Sequence, residues 1–231
     1  MSIKNKIKNI ARRFGYEISK VGDIDMLESM IYKEYHKDFF FIQIGANNGK
    51  RFDPIYNIVK TLKLKGLALE PIKEYYDELV ENYKNSNVMP VNKAIYKNNQ
   101  KLSIYRVKAN NSLPEWTKGI ASVNPEHFKK SKLDNSQMCE EIVDAVTFNT
   151  LLTDYKVLDC DLLQIDTEGY DIEVIKMFPF SQIKPKIIHF EHGLDDGVMS
   201  NDDFLEVSRI LLDYKYKIIM KKYDCIAYLK V

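Results

Sequence analysis

FFFIQIGANNGKRFDPIYNIVKTLKLKGLALEP, residues Phe39 to Pro71, decides the fold. A short apolar run, Phe39 to Ile44, breaks into Gly45-Ala46-Asn47-Asn48-Gly49. Ile55, Ile58, Val59 and Leu62 then recur at helical spacing, and a second apolar run, Gly66 to Leu69, ends on Glu70-Pro71. The order is strand, glycine turn, helix, strand, acid, which is a βαβ unit of the nucleotide-binding kind. A continuous Phe/Ile run suits a parallel strand buried on both faces. Gly45 and Gly49 let the chain turn sharply and bring bare backbone to a ligand. Glu70 stands 21 residues past Gly49. An acid about 20 residues beyond such a loop can accept hydrogen bonds from both hydroxyls of a ribose. Pro71 suits the first position of the next helix, where its missing N–H costs nothing.

The nucleotide is narrowed by what the turn lacks. A G-x-G-x-x-G dinucleotide fingerprint read from Gly45 needs glycine at positions 47 and 50, where this chain has Asn47 and Lys50. That counts against NAD or FAD, and the G-x-x-x-x-G-K-[ST] phosphate loop is missing too. A glycine turn without phosphate features, followed by a ribose acid, suits S-adenosylmethionine better. IGANNG, LALEP, DLLQIDTEGYDIEVI (Asp161 to Ile175) and IIHFEH (Ile187 to His192), in this order, resemble the motifs of the FkbM family of S-adenosylmethionine-dependent methyltransferases. The resemblance runs from about Phe39 to Ile219. It implies an α/β fold with a doubly wound, Rossmann-like class I methyltransferase sheet, mostly parallel with an antiparallel last strand. It also makes Gly119-Ile120-Ala121-Ser122 a block near the cofactor. One departure is that the family often has Asp where this chain has Gln43, which offers no anionic acceptor to the methionine amino group.

A chain of 231 residues with 45% hydrophobic residues makes one large domain with or without an appendage. The division expected is an N-terminal helical segment, 1–38, and a methyltransferase domain, 39–231. Lys+Arg 34 against Asp+Glu 33 leaves +1, so no global field draws the chain to nucleic acid. The three cysteines, Cys139, Cys160 and Cys225, form no CxxC pair, and a reducing, cytoplasmic location is the simple reading. No stretch approaches 18 uninterrupted apolar residues, and no signal-peptide core is visible.

Ile3, Ile7, Ile10 and Phe14, interleaved with Lys4, Lys6, Lys8, Arg12 and Arg13, describe a basic amphipathic helix. Its stripe suits a membrane surface, a partner, the domain itself, or a second copy in a homodimer. A further helix is expected from Asp23 to His36. Beyond Glu70 the alternation predicts a helix over 72–83 with Tyr75, Tyr76, Leu79 and Val80 inward, then a strand from Asn87 to Val91. Asn92 follows where the loop after the third strand borders an adenine. Strands are expected over Lys101 to Val107 and Glu140 to Thr147, and a short helix over Phe148 to Leu152. Between the two strands, residues 108–137 are rich in Asn, Ser, Pro and Lys and carry the only tryptophan, Trp116. A stretch this long without strong periodicity reads as a lid or substrate loop. Trp116, Ser122, Asn124 and His127 are its candidates for lining an acceptor pocket.

The chemistry concentrates in two further strand ends. The run Leu162 to Ile165 ends on Asp166, with Glu168, Gly169 and Asp171 crowding the turn before a helix. Ligands bind outside the carboxyl ends of the strands, so Asp166 should stand beside the glycine loop. Capping explains Asp171 as an N-cap, Glu168 poorly and Asp166 not at all. Ile187 to Phe190 is a strand tipped by Glu191 and His192 on the same rim, and His189 reads as a satisfied core histidine. A helix over 202–213 and strands over Lys215–Met220 and Cys225–Val231 complete the sheet.

The cofactor residues expected are Gly45, Ala46, Asn47, Gly49, Glu70, Asn92, Ser122 and Asp166. The catalytic residues expected are His192, Asp166, Glu191 and Glu168, with Trp116, His127 and Glu168 against the acceptor. A sugar hydroxyl is a poor nucleophile and wants a base, so clustered carboxylates and a histidine favour O-methylation of a glycan, capsular polysaccharide or glycoconjugate precursor. His192 or Asp166 would be the base. The same residues could instead hold a divalent metal that acidifies the hydroxyl. The alternatives are an NAD-dependent oxidoreductase and a non-catalytic glycan- or partner-binding module on a methyltransferase fold.

Overall fold

A computed structural model describes residues 25–108, 113–125 and 133–229. The basic helix expected near Ile3 to Phe14 and the acceptor candidate His127 lie outside these residues.

The chain opens on α1 (Met26–Glu34), whose N-cap Asp25 accepts from the Glu28 N–H. The βαβ unit follows as β1 (Phe40–Ile44), α2 (Tyr56–Leu62) and β2 (Lys65–Leu69). Then come α3 (Lys73–Asn82), β3 (Val88–Val91), β4 (Ala94–Ile95), β5 (Gln100–Val107), β6 (Ala121–Ser122) and β7 (Met138–Val146). The last third holds α4 (Phe148–Asp154), β8 (Leu162–Ile165), α5 (Asp171–Met177), β9 (Ile187–Glu191), α6 (Asn201–Asp213), β10 (Tyr216–Met220) and β11 (Asp224–Leu229).

Seven strands form the main sheet in the order β10-β11-β9-β8-β1-β2-β3. β1, β2, β3, β8 and β9 run parallel, and β11 inserts antiparallel between β9 and β10. The central strands are largely apolar on both faces because helices cover both, apart from a buried polar row of Gln43, Gln164 and His189 across β1, β8 and β9. On one face Phe39, Phe41 and Ala68 pack against Leu27 and Ile31 of α1, Ile58 and Val59 of α2, and Leu79 of α3. On the other, Ile42, Ile44, Leu67 and Leu69 share a core with Leu151 of α4, Val174 and Ile175 of α5, and Val207 and Leu211 of α6. Each such side chain, fully buried, stabilises the fold by ~1.5–3 kcal/mol. At the rim opposite the site, buried Asp161 ties α1 to the sheet. It accepts from the Phe40 N–H at 2.9 Å and pairs with Lys186 at 2.8 Å and with His36 at 3.0 Å.

A second sheet, β4-β7-β5-β6, stands beside the first. The sequence shows its two long strands but not that they pair with each other, since β5 and β7 meet antiparallel across a long intervening loop. Arg106 on β5 joins this sheet to α3, reaching Glu141 at 2.6 Å and Glu74 at 3.1 Å. Residues 113–125 of the expected loop contain a 3-10 turn, Glu115–Gly119, and then β6. Two local expectations are corrected. Val80 is exposed, and Ile72, Tyr75, Leu79 and Tyr83 bury the face of α3 instead. Pro71 lies before the Ile72 N-cap rather than in the first helical position.

Candidate active site

Because β1, β2, β8 and β9 are parallel, their carboxyl ends share one rim, and two cavities open along it. The larger, about 290 Å³, is bounded by the 45–47 turn, Glu70, Asp166 and Glu168. Its apolar wall comes from Pro71, Ile72 and Tyr75 and from the second sheet through Ala94, Ile95, Leu102 and Ile104. The smaller, about 150 Å³, is lined by Gln164, Asp166, His189, Glu191 and Asp224. Asp166, Phe52 and Pro54 line both.

The two glycines of the turn do different work. Gly45 has φ +80°, and a Cβ there would lie 1.7 Å from the Asp166 carbonyl oxygen, so the turn presses directly on the end of β8. Gly49 (φ +70°) does not line a cavity. A Cβ there would strike the Leu79 and Tyr83 side chains at 2.4 and 2.5 Å, so it serves the packing of α3. Arg51 pins the rest of the loop, donating to Asn47 Oδ1 at 3.0 Å and Glu78 Oε2 at 3.1 Å.

Glu70 is buried at the tip of β2. Its Oε2 accepts from the Asn47 N–H at 2.9 Å and its Oε1 from the Ile72 N–H at 2.8 Å. Each oxygen keeps a second lone pair. Burial pushes this carboxyl up to about 7, against the two backbone donors that favour the charged form. Asn92, expected against the adenine, turns away from the cavity and donates to the Glu70 and Pro71 carbonyls at 2.8 and 2.9 Å. It therefore fixes the strand tip that carries Glu70. Ser122 is likewise structural in position: its hydroxyl donates to the Glu168 carbonyl at 2.9 Å. That bond ties β6 to a left-handed pair, Glu168 (φ +53°) and Gly169 (φ +93°).

The carboxylates gather as the sequence suggests. Burial, then Glu168, Asp171, Glu191 and Asp224, hold Asp166 well above the usual carboxylate range. Burial and Glu168 push Glu191 up to about 8. Asp171 is the first residue of α5 and not its N-cap, which is Tyr170. Its Oδ2 accepts from the Thr167 N–H and hydroxyl and its Oδ1 from the Glu191 N–H, so it locks the 166–171 loop to β9.

His192 is displaced from the role expected of it. It is buried against Phe204 outside both cavities, with Nε2 3.0 Å from the Lys221 carbonyl and Nδ1 accepting from the Leu194 N–H at 3.2 Å. Both ring nitrogens are spent on backbone, so it cannot reach an acceptor. His189 lines the smaller cavity instead, with Nδ1 2.8 Å from Gln164 Oε1, and burial lowers its pKa to about 3. Among the described residues no group of three or more His, Cys, Asp and Glu side chains is arranged to hold a metal ion. No helix among them is long and apolar enough to cross a membrane.

The sequence reading missed Phe52, Asp53 and Tyr170 as cavity residues. Phe52 is exposed with φ +58°, which places its ring at the mouth of both cavities. An apolar side chain beside a glycine turn and outside the helical spacing was the available signal.

Glu70, Glu191 and Asp166 bind protons more tightly folded than unfolded. The folded chain therefore holds more protons near neutrality, and stability falls as pH rises through about 7 to 8. With one pKa unit worth ~1.4 kcal/mol, the Tm is expected about 5 °C lower at pH ~8.5 than at pH ~6.5. Thermal melts at the two pH values check this, and an unchanged or higher Tm at the alkaline value would contradict it.

The sequence matches the family model of the methyltransferase FkbM domain over residues 43–218. The structure resembles that of methyltransferase FkbM from Methylobacillus flagellatus KT, with a TM-score of 0.51 and 13% identity over 83% of this chain. The chain covers 43% of the length of that protein. Precorrin-6y C5,15-methyltransferase from Geobacter metallireducens GS-15 aligns over 92% of this chain and 94% of its own, at 14% identity and a TM-score of 0.46. No curated protein matches the sequence.

Proposed function

This chain belongs to the methyltransferase FkbM family of S-adenosylmethionine-dependent methyltransferases, and from that premise we propose that it methylates a carbohydrate hydroxyl, in a glycan, capsular polysaccharide or glycoconjugate precursor. Membership sets aside the NAD-dependent alternative.

The larger cavity fits the cofactor. Glu70 offers lone pairs at the ribose position, Ala46 and Asn47 supply turn backbone, and Ile72, Ile95 and Leu102 make an apolar wall for a purine. Gln43 and Asp53 line the same cavity beside the turn. When bound, S-adenosylmethionine supplies an electrophilic methyl group on a sulfonium. The walls of the site align the acceptor, a contribution of ~7–11 kcal/mol.

The observation that carries the hydroxyl reading is the position of Asp166 between the two cavities. A carboxyl held above its ordinary range is a stronger base toward a hydroxyl proton than a free one. Asp166 takes that proton as the new C–O bond forms. Glu191 and Asp224 accept from neighbouring hydroxyls in the smaller cavity. Trp116 and Phe52, both exposed where they line the larger cavity, offer aromatic faces to sugar C–H groups, with Glu168 beside them.

Calorimetric titration with S-adenosylhomocysteine tests the cofactor, and methyl incorporation into a panel of saccharides and amines tests the acceptor. Micromolar affinity (roughly −8 kcal/mol) is expected, weakened at least about 30-fold in Glu70→Ala as a charge-assisted ribose contact is lost. Absence of binding by folded protein would favour the binding-module reading. Transfer to amines alone would overturn the hydroxyl acceptor.

A further inference from the structure

The smaller cavity holds acidic groups that proton removal by Asp166 does not use. Glu191 and Asp224 stand directly opposite each other across the antiparallel β9–β11 pair, and both line the cavity. Like charges at such a cross-strand position destabilise a sheet. Neither carboxyl group has a hydrogen bond or ion pair among the described residues. No lysine or arginine lines the cavity. The field of Lys221 reaches Asp224, but that residue is exposed and stands outside the cavity. Two residues back on the same face of β9, His189 is only 4% exposed and lines the cavity as well. Its Nδ1 faces Gln164 Oε1, an acceptor, so Nδ1 carries the proton and Nε2 is left as an acceptor. Nε2 has no partner among the described residues. A hydroxyl both donates and accepts, whereas an ammonium group brings three donors, a positive charge and no acceptor. Two facing carboxyls above a bare imidazole nitrogen match the ammonium.

We propose that the acceptor is an amino sugar, its ammonium group held by Glu191, Asp224 and His189 Nε2 while a neighbouring hydroxyl meets Asp166. The inference rests on the carbohydrate-hydroxyl reading above. Asp166 lines both cavities, so it serves the hydroxyl while the ammonium occupies the smaller one. Burial raises the Glu191 and Asp224 carboxyls above their ordinary range, and a cation between them favours the charged form again. A protonated nitrogen has no lone pair, so the contacts that recognise it also keep it from taking the methyl group. Asp166 takes the hydroxyl proton as the oxygen bonds the methyl carbon and the carbon–sulfur electron pair stays with sulfur.

The test measures methyl transfer to matched sets of an aminohexose, its N-acetyl derivative and the parent hexose, with mass spectrometry to locate the methyl group. Wild-type protein is expected to methylate an oxygen of the aminohexose with kcat/KM about 10- to 100-fold above either neutral analogue, the range of a charge-assisted contact. Asp224→Asn keeps the shape of the side chain and removes its charge. It is expected to cut that preference about tenfold, while its Tm holds or rises because the repulsion with Glu191 is gone. Equal or better transfer to the parent hexose overturns the assignment, and so does an unchanged preference in folded Asp224→Asn. Methylation of the nitrogen overturns it too, since the amine would then be neutral in the site. Protein that binds S-adenosylhomocysteine but methylates none of the saccharides is a different outcome: it sinks the carbohydrate reading itself.

Discussion

Asp166→Asn is expected to lower methyl transfer about a hundred- to ten-thousandfold, the range that a lost general base costs, with S-adenosylhomocysteine affinity changed only a few fold. Asparagine keeps the shape of the side chain and removes its capacity to take a proton. The variant also relieves repulsion among Asp166, Glu168, Glu191 and Asp224, so its Tm should hold or rise. Low turnover with an unchanged or higher Tm therefore separates chemistry from folding. His192→Gln is the contrast. His192 is buried on the Lys221 and Leu194 backbone, so its loss should lower Tm and leave kcat within a few fold. A wild-type rate in Asp166→Asn, or a collapse of kcat in a folded His192→Gln, would reverse the assignment.

Gly45→Ala is expected to abolish folding, or to cost more than ~4 kcal/mol, the range reserved for severe core disruption. Two penalties add at this position. Its φ of +80° is one that L side chains rarely adopt, and a Cβ would lie 1.7 Å from the Asp166 carbonyl oxygen. The obstacle is backbone at the buried end of β8, so no rotamer change can relieve it. Gly197→Ala isolates the first penalty: φ there is +68°, but a Cβ would meet nothing within 4 Å. That variant should cost only ~1–2 kcal/mol. Denaturant unfolding of both gives the comparison, and similar midpoints would mean that β1 and β8 can separate cheaply.

The local grammar of the chain was legible because its signals are short. The Phe39–Ile44 run, the glycine turn and the acid after Leu69 each depend on neighbours within a few residues. So do Asp166 after Leu162–Ile165 and Glu191 after Ile187–Phe190. Parallel strands then bring all these tips to one rim, which is why Glu70, Asp166, Glu168 and Glu191 all stand along it. Side-chain direction was not legible in the same way. His192 follows Glu191 directly in the sequence, yet Glu191 faces a cavity and His192 turns into the protein, because successive residues of an extended chain point to opposite sides. Asn92 and Ser122 also lie beside the site by sequence position, but their hydrogen bonds hold the Glu70 tip and the Glu168 turn.

By itself, then, the sequence determined the strand-turn-strand order, the family's motifs and the acids at the strand ends, all of which are encoded locally. Only the tertiary structure decided that β5 and β7 pair into a second sheet that walls the larger cavity. It also decided that Gly49 serves packing while Gly45 serves the turn. Each of these depends on which distant atoms share a space, and that is set by closing long loops and by burial, not by spacing along the chain.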